Sequence, residues 1–235
     1  MSGFFITGTD TGIGKTFITC ALIHALRQRG MTVAPMKPIA AGTIVVNGVE
    51  MNEDVALFMA ATNHRYAVAD INPYCFAEPI APHLAAMHDG AHIDIDVIHS
   101  AYRRLVADAN MVLVEGAGGF LVPMSAGESM ALIPAALRLS VIMVIGMRLG
   151  CLNHALLTLE AIRARGLTLA GWIANSPSNE PMNARTENLS TLMHMIDAPL
   201  IGDVAYGGDG DTLQSARNAA AHLQSDILIS PDTTS

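Results

Sequence analysis

The chain has 235 residues, a formal net charge of −8 and a hydrophobic fraction of 51%. That length suits one large domain or two small ones around a substantial core, and the apolar content excludes a disordered chain. No basic run is present, which argues against nucleic acid as a main partner, and the longest strongly apolar run, LSVIMVIGM at 139–147, is about half of the roughly 20 residues that span a bilayer.

Residues 3–7 read as a strand, followed by a glycine-rich loop and a helix over 15–29. In that helix Phe17, Ala21 and Ala25, and Ile18, Leu22 and Leu26, recur every four residues, and Gly30 stands at a stop position. The stretch 4–17, FFITGTDTGIGKTF, resembles a phosphate-binding loop with unusual spacing. The usual pattern is Gly, four residues, then Gly-Lys-Ser/Thr. Gly14, Lys15 and Thr16 are present, but Thr9 stands where the first glycine belongs, and Gly8 is one step early. Backbone N–H groups at such a helix start bind phosphate, and Gly12 and Gly14 let the backbone approach closely. Lys15 supplies a point charge, and the Thr16 hydroxyl could reach Mg²⁺.

A second strand is expected over 32–36, then Lys37 in the turn MKPIAAG. Of the 13 lysines and arginines, only Lys15 and Lys37 are lysines. A compact ammonium differs from a planar guanidinium, so two positions that keep lysine in an arginine-rich chain are candidates for chemistry. A helix is expected over 52–61. Asp54, in MNEDVA, suits either a metal ligand or a helix cap, and spacing does not separate it from Glu53.

Helix is expected over 95–107, 152–165 and 184–195, and strand over 111–115, 141–145, 169–174 and 200–204, with a closing helix over 213–223. Glu115 ends the apolar run MVLVE, before Gly116, Ala117, Gly118 and Gly119. A carboxylate at that strand end faces the same edge as the loop and suits a metal-bound triphosphate. His83, in EPIAPH, reads as structural, and the fourteen methionines as core filler.

Apolar strands alternating with helices indicate a mostly parallel α/β sheet with helices on both faces. One domain is expected over 1–229, with a mobile tail at 230–235. Cys20, Cys75 and Cys151 are widely separated and form no CxxC pair, so zinc and disulfides are poorly supported. No signal peptide is visible, and a cytoplasmic location is expected.

Seven stretches in order resemble the dethiobiotin synthetase family: GTDTGIGKT (8–16), MKPIAAG (36–42), NEDV (52–55), NPYCFAEPIAPHLAA (72–86), VLVEGAGG (112–119), RLGCLNHALLT (148–158) and LAGWIAN (169–175). The longer loop spacing is typical of that family and its relatives. The resemblance implies a homodimer of P-loop NTPase-like fold that uses 7,8-diaminononanoate, CO₂ and Mg·ATP. It implies Lys37 as principal catalytic residue with Lys15 beside it, and Thr16, Asp54 and Glu115 as Mg²⁺ ligands, which favours Asp54 over Glu53. For the nucleotide it implies residues Gly12, Ile13, Gly14, Lys15, Thr16 and Phe17, with Asp54, Glu115, Gly116, Ala117 and Gly118. Asn175, Ser176, Val204, Ala205 and Tyr206 would border adenine. The diamine would meet Thr11, Lys37 and Ala41, and its carboxylate would meet Gly150, Cys151, Leu152 and Asn153 of a partner subunit at a helix start, which suits an anion.

Ala41 and Ala205 depart from the family's pattern. Relatives often have Ser or Thr at the first, a hydroxyl that a backbone N–H or water would replace here, and many have proline at the second. Two rivals share the loop. Partitioning ATPases carry a signature lysine, in KGGxGKT, where Asp10 stands here. Other amide-forming ligases of the superfamily are usually longer chains.

Overall fold

The computed structural model describes residues 3–46, 48–208 and 210–229. The expected tail, 230–235, lies outside the described residues. The chain opens with β1 (Gly3–Gly8), α1 (Lys15–Gln28) and β2 (Val33–Met36). Three short strands follow, β3 (Ile39–Ala41), β4 (Ile44–Val46) and β5 (Val49–Met51). Then come α2 (Glu53–Ala61), α3 (Val68–Ile71), β6 (Tyr74–Phe76), α4 (Pro82–His88) and α5 (Ile95–Asp108). The second half holds β7 (Met111–Gly119), β8 (Pro123–Ser125), β9 (Glu128–Ser129), α6 (Leu132–Leu137), β10 (Ser140–Gly146) and α7 (Cys151–Arg163). It ends with β11 (Leu169–Asn175), α8 (Arg185–Met195), β12 (Leu200–Val204) and α9 (Thr212–Ala219).

Six strands form one parallel sheet in the order β12-β11-β10-β1-β7-β2. The chain builds β2 and β7 on one side of β1, then crosses to β10 on the other. The carboxyl end of β1 is therefore a topological switch point, where open α/β sheets bind ligands. The strands read as apolar runs because both faces are covered. Along β10, Ile142 and Val144 join the core that holds Phe4, Ile18 and Leu22. Met143 and Ile145 face the opposite way, toward Trp172, Ala155, Leu159 and Leu192. This is the two-residue alternation of a strand buried between two helical layers. α1 is buried nearly all round, since α2 and α9 pack against it as well as the sheet.

β7 runs four residues past the expected end. Gly116 permits this: a Cβ there would lie 2.8 Å from the Phe5 ring. The expected closing helix stops at Ala219 and tightens into a 3₁₀ turn, Ala220–His222. The Gln224 N–H then donates to Ile201 O, and Leu223 bridges to Gly202 at the edge of the sheet. The short pairs β3–β6, β4–β5 and β8–β9 have no counterpart in the expected elements. No helix among the described residues is long and apolar enough to cross a membrane.

Candidate active site

The loop between β1 and α1 sits at the switch point. Gly14 caps α1 in a left-handed conformation, φ 82°, with no side chain on the first N–H groups. A Cβ at Gly14 would lie 2.4 Å from Asn175 Nδ2, so both backbone angle and space demand glycine. The orphan N–H groups of a helix start are anion donors. A cavity of about 870 Å³ opens in front of them. Among the expected residues, Thr11, Gly12, Gly14, Lys15, Thr16, Phe17, Lys37, Ala41, Asp54, Ala117 and Gly118 line it.

Under the loop lies a buried charge cluster. Lys37 leaves the end of β2 and is only 5% exposed. Its Nζ donates to Asp54 Oδ2 and to Glu115 Oε1, each at 2.6 Å. Glu115, on β7, is fully buried. Burial works against the Lys37 charge, but the two carboxylates outweigh it and hold the ammonium above its ordinary range. Burial likewise pushes the Asp54 carboxyl up, and the charge and hydrogen bond of Lys37 overcome this and hold it below the usual carboxylate range. The Thr16 hydroxyl donates to Glu115 Oε1 at 2.9 Å.

The two roles open to Asp54 separate here. Asn52 is the cap of α2, its Oδ1 accepting from the Asp54 N–H at 3.0 Å. That leaves the Asp54 carboxylate for Lys37. Glu53 also lines the cavity, but it is exposed, and the Lys37 ammonium bonds to Asp54 and Glu115 instead. Lys15 is 7% exposed, with its Nζ 3.3 Å from Asp10 O. Burial holds the Lys15 pKa below its ordinary value, with Glu115 offsetting part of that effect. An arriving polyphosphate would supply the missing counter-charge.

Beside this cavity is a smaller one of about 170 Å³, lined by Gly14, Phe17, Asn175, Ser176 and Tyr206 among the expected residues. Asn175 is 2% exposed, and its Nδ2 donates to Ile13 O at 2.7 Å. That bond fixes the amide orientation and leaves Oδ1 buried without a partner. Val204 and Ala205 line neither cavity; the Val204 carbonyl instead accepts from the Ser176 N–H at 2.9 Å. Ile13 and Gly116 act through backbone and packing rather than as wall residues.

Gly150, Cys151, Leu152 and Asn153 form the first turn of α7 and line neither cavity. They are tied to the loop from outside, because Arg148 pairs with the Asp10 carboxylate. Asp10 also accepts from the Thr11 N–H at 2.7 Å. Around this edge Leu149 is 97% exposed, and Leu121 and Leu157 are exposed too. At Ala41, the adjacent Gly42 N–H is committed to Phe76 O at 2.9 Å, so that donor does not replace a hydroxyl.

Sequence reasoning missed Thr19, whose hydroxyl lies 2.5 Å from Glu115 Oε2. Its only signal was position: three residues after Thr16, it shares that residue's helix face.

Thr16, Asp54 and Glu115 offer hard oxygen donors of the kind Mg²⁺ takes. Among the described residues no group of three or more His, Cys, Asp or Glu could hold a metal ion. A pair of carboxylates plus phosphate oxygens is nevertheless the usual Mg²⁺ arrangement in phosphoryl-transfer sites. The Lys37 ammonium already lies between the two carboxylates. That seat therefore stabilises a cation, and the donors fit the metal.

A family model described as an AAA domain matches residues 2–210. An ATP-dependent dethiobiotin synthetase BioD of Aromatoleum aromaticum is 49% identical over 213 residues, 91% of this chain and 94% of that protein. The protein of the same name from Nitrosospira multiformis is 49% identical over 209 residues, covering 89% and 90%. Among solved structures, the septum site-determining protein MinD of Pyrococcus horikoshii, complexed with Mg-ADP, superposes with a TM-score of 0.59. That likeness covers 99% of this chain and 98% of the other at 15% identity, a likeness of fold.

Proposed function

The chain belongs to the ATP-dependent dethiobiotin synthetase family, and on that premise we propose that its crevice carries out the reaction as follows. The reaction joins 7,8-diaminononanoate and CO₂ into dethiobiotin, with ATP converted to ADP and phosphate, in biotin biosynthesis. One amine of the diamine adds to CO₂ and loses a proton, giving a carbamate. A carbamate oxygen attacks the γ-phosphorus and ADP leaves, giving a carbamic–phosphoric anhydride. The second amine attacks the carbonyl carbon, phosphate leaves, and the ureido ring closes.

The observation that carries this reading is the buried Lys37 ammonium beside a phosphate loop, 2.6 Å from each of two carboxylates. Phosphoryl transfer needs little covalent help from the protein, and catalysis is mostly positioning and charge stabilisation. The loop N–H groups and Lys15 hold the outer phosphates. Lys37 turns from Asp54 and Glu115 toward the carbamate and the transferring phosphoryl oxygens. Mg²⁺, held by Thr16, Asp54 and Glu115, would offset phosphate charge. The seat that such a cation would take between Asp54 and Glu115 is the one the Lys37 ammonium occupies here. Thr11 and Ala41 border the diamine, and water stands in for the hydroxyl that Ala41 lacks.

The base is read by Asn175. Its unpartnered Oδ1 is an acceptor, which suits the 6-amino group of adenine and repels a 6-oxo group. Inosine triphosphate is therefore expected to have a kcat/KM roughly 10–100-fold below that of ATP, the cost of facing a buried acceptor with another acceptor. Equal values for the two nucleotides would contradict this role.

The working form is a homodimer in the cytoplasm. The start of α7 lies outside its own chain's cavity, and the exposed Leu121, Leu149 and Leu157 near it suit burial against a second copy. The partner's helix start then receives the diamine's carboxylate. The reading as a whole is tested by phosphate release from Mg·ATP and bicarbonate. Adding the diamine is expected to raise it strongly; release indifferent to the diamine would contradict the reading.

A further inference from the structure

Glu115 is fully buried, and its two oxygens have different partners. Oε1 receives the Thr16 hydroxyl and the Lys37 ammonium. Oε2 receives the hydroxyl of Thr19, a residue with no exposed surface one helical turn beyond Lys15. The ordinary role of a buried helical threonine is to donate to the carbonyl four residues back, and Lys15 O does lie 3.0 Å from Thr19 Oγ1. A hydroxyl has one proton, however, and the 2.5 Å contact to a carboxylate is shorter and charge-assisted. The proton therefore goes to Glu115.

We propose that Thr19 is a positioning residue for the reaction: it anchors Oε2 and so holds Oε1 toward Thr16, Lys37 and the cation seat. This rests on the reading of Glu115 as a ligand of the nucleotide-bound Mg²⁺. Without the anchor the carboxylate turns about its last bond and one oxygen is left bare in the core. Partners that orient a metal-binding carboxylate typically matter by about 10–100-fold in metal affinity.

The test compares Thr19→Val, which keeps the shape and removes the hydroxyl, with Thr19→Ser, which keeps the hydroxyl. ADP binding is followed by calorimetry across a magnesium titration, without turnover, and thermal melts check folding. Thr19→Val is expected to raise the magnesium concentration for half-maximal binding by about 10–100-fold, and Thr19→Ser to return it to the parent value. Should Thr19→Val not fold, Thr19→Ala carries the same expectation. An unchanged magnesium requirement in Thr19→Val, or a serine variant as impaired as the valine one, overturns the proposal. Glu115→Gln is the reference. If it alone raises the requirement, only the role of Thr19 is overturned; if it too has no effect, the metal reading of Glu115 falls with it.

Discussion

Replacing Lys37 by glutamine is expected to lower dethiobiotin formation by at least roughly 10²–10³-fold, the scale seen when a donor aimed at developing charge is removed. The cause is positional. Lys15 starts α1 on the loop side of the cavity, whereas Lys37 follows β2 on the side of Asp54 and Glu115, and in the proposed reaction it is the group that meets the carbamate and the transferring phosphoryl oxygens. Glutamine keeps a donor but no charge. The substitution also leaves Asp54 and Glu115 together without their ammonium. Breaking a buried pair in this way costs about 3–5 kcal/mol, so a thermal melt belongs beside the assay to show that the variant is folded when measured. Lys37→Arg is expected not to rescue it, because a planar guanidinium cannot replace a compact ammonium between two carboxylates 2.6 Å away. Near-parent turnover by a folded Lys37→Gln variant would remove Lys37 from the mechanism.

Asp54→Ala and Glu115→Ala are each expected to weaken magnesium-dependent ATP binding by roughly 10–100-fold, the value of one charged contact. The effect on nucleotide binding without magnesium is expected to be small or opposite in sign, since removing a carboxylate lessens repulsion of the phosphates. The two variants differ in one respect. Asp54 is partly exposed at the cavity, and its loss leaves Lys37 paired with Glu115. Glu115 is fully buried and ties Thr16, Thr19 and Lys37 together, so its loss also unsettles the start of α1. Calorimetric titration of ATP at several magnesium concentrations separates these effects. A magnesium dependence unchanged in both variants would contradict the metal assignment.

The long strands were legible because burial on both faces leaves an unbroken apolar signature: FFI in β1, VLV in β7 and VIMVI in β10 each occupy the sheet centre. The short pairs were not, since three residues such as Tyr74–Phe76 carry too little pattern, and their pairing with Ile39–Ala41 is a tertiary event. At the site, Lys15 and Thr16 follow from the loop motif, and Lys37 stood out because lysine is scarce. The choice between Glu53 and Asp54 was invisible in local spacing, because it depends on which side chain of α2 points toward β2. What distinguishes Asp54 is its bond from Lys37 Nζ, a tertiary contact, while the capping role falls to Asn52 in the same four letters. Thr19 gave no sign beyond sharing a helix face with Thr16, because its partner is ninety-six positions away in sequence. Val204 and Ala205 precede Tyr206 in the chain, yet only Tyr206 reaches the smaller cavity: β12 ends at Val204, whose carbonyl accepts from the Ser176 N–H.

The most direct test of the account is to mix the purified protein with 7,8-diaminononanoate, ¹³C-bicarbonate and Mg·ATP, and to follow dethiobiotin by mass spectrometry together with phosphate. The account predicts dethiobiotin carrying one ¹³C, formed one-for-one with phosphate. Phosphate released without labelled dethiobiotin, at a rate the diamine does not change, would contradict it.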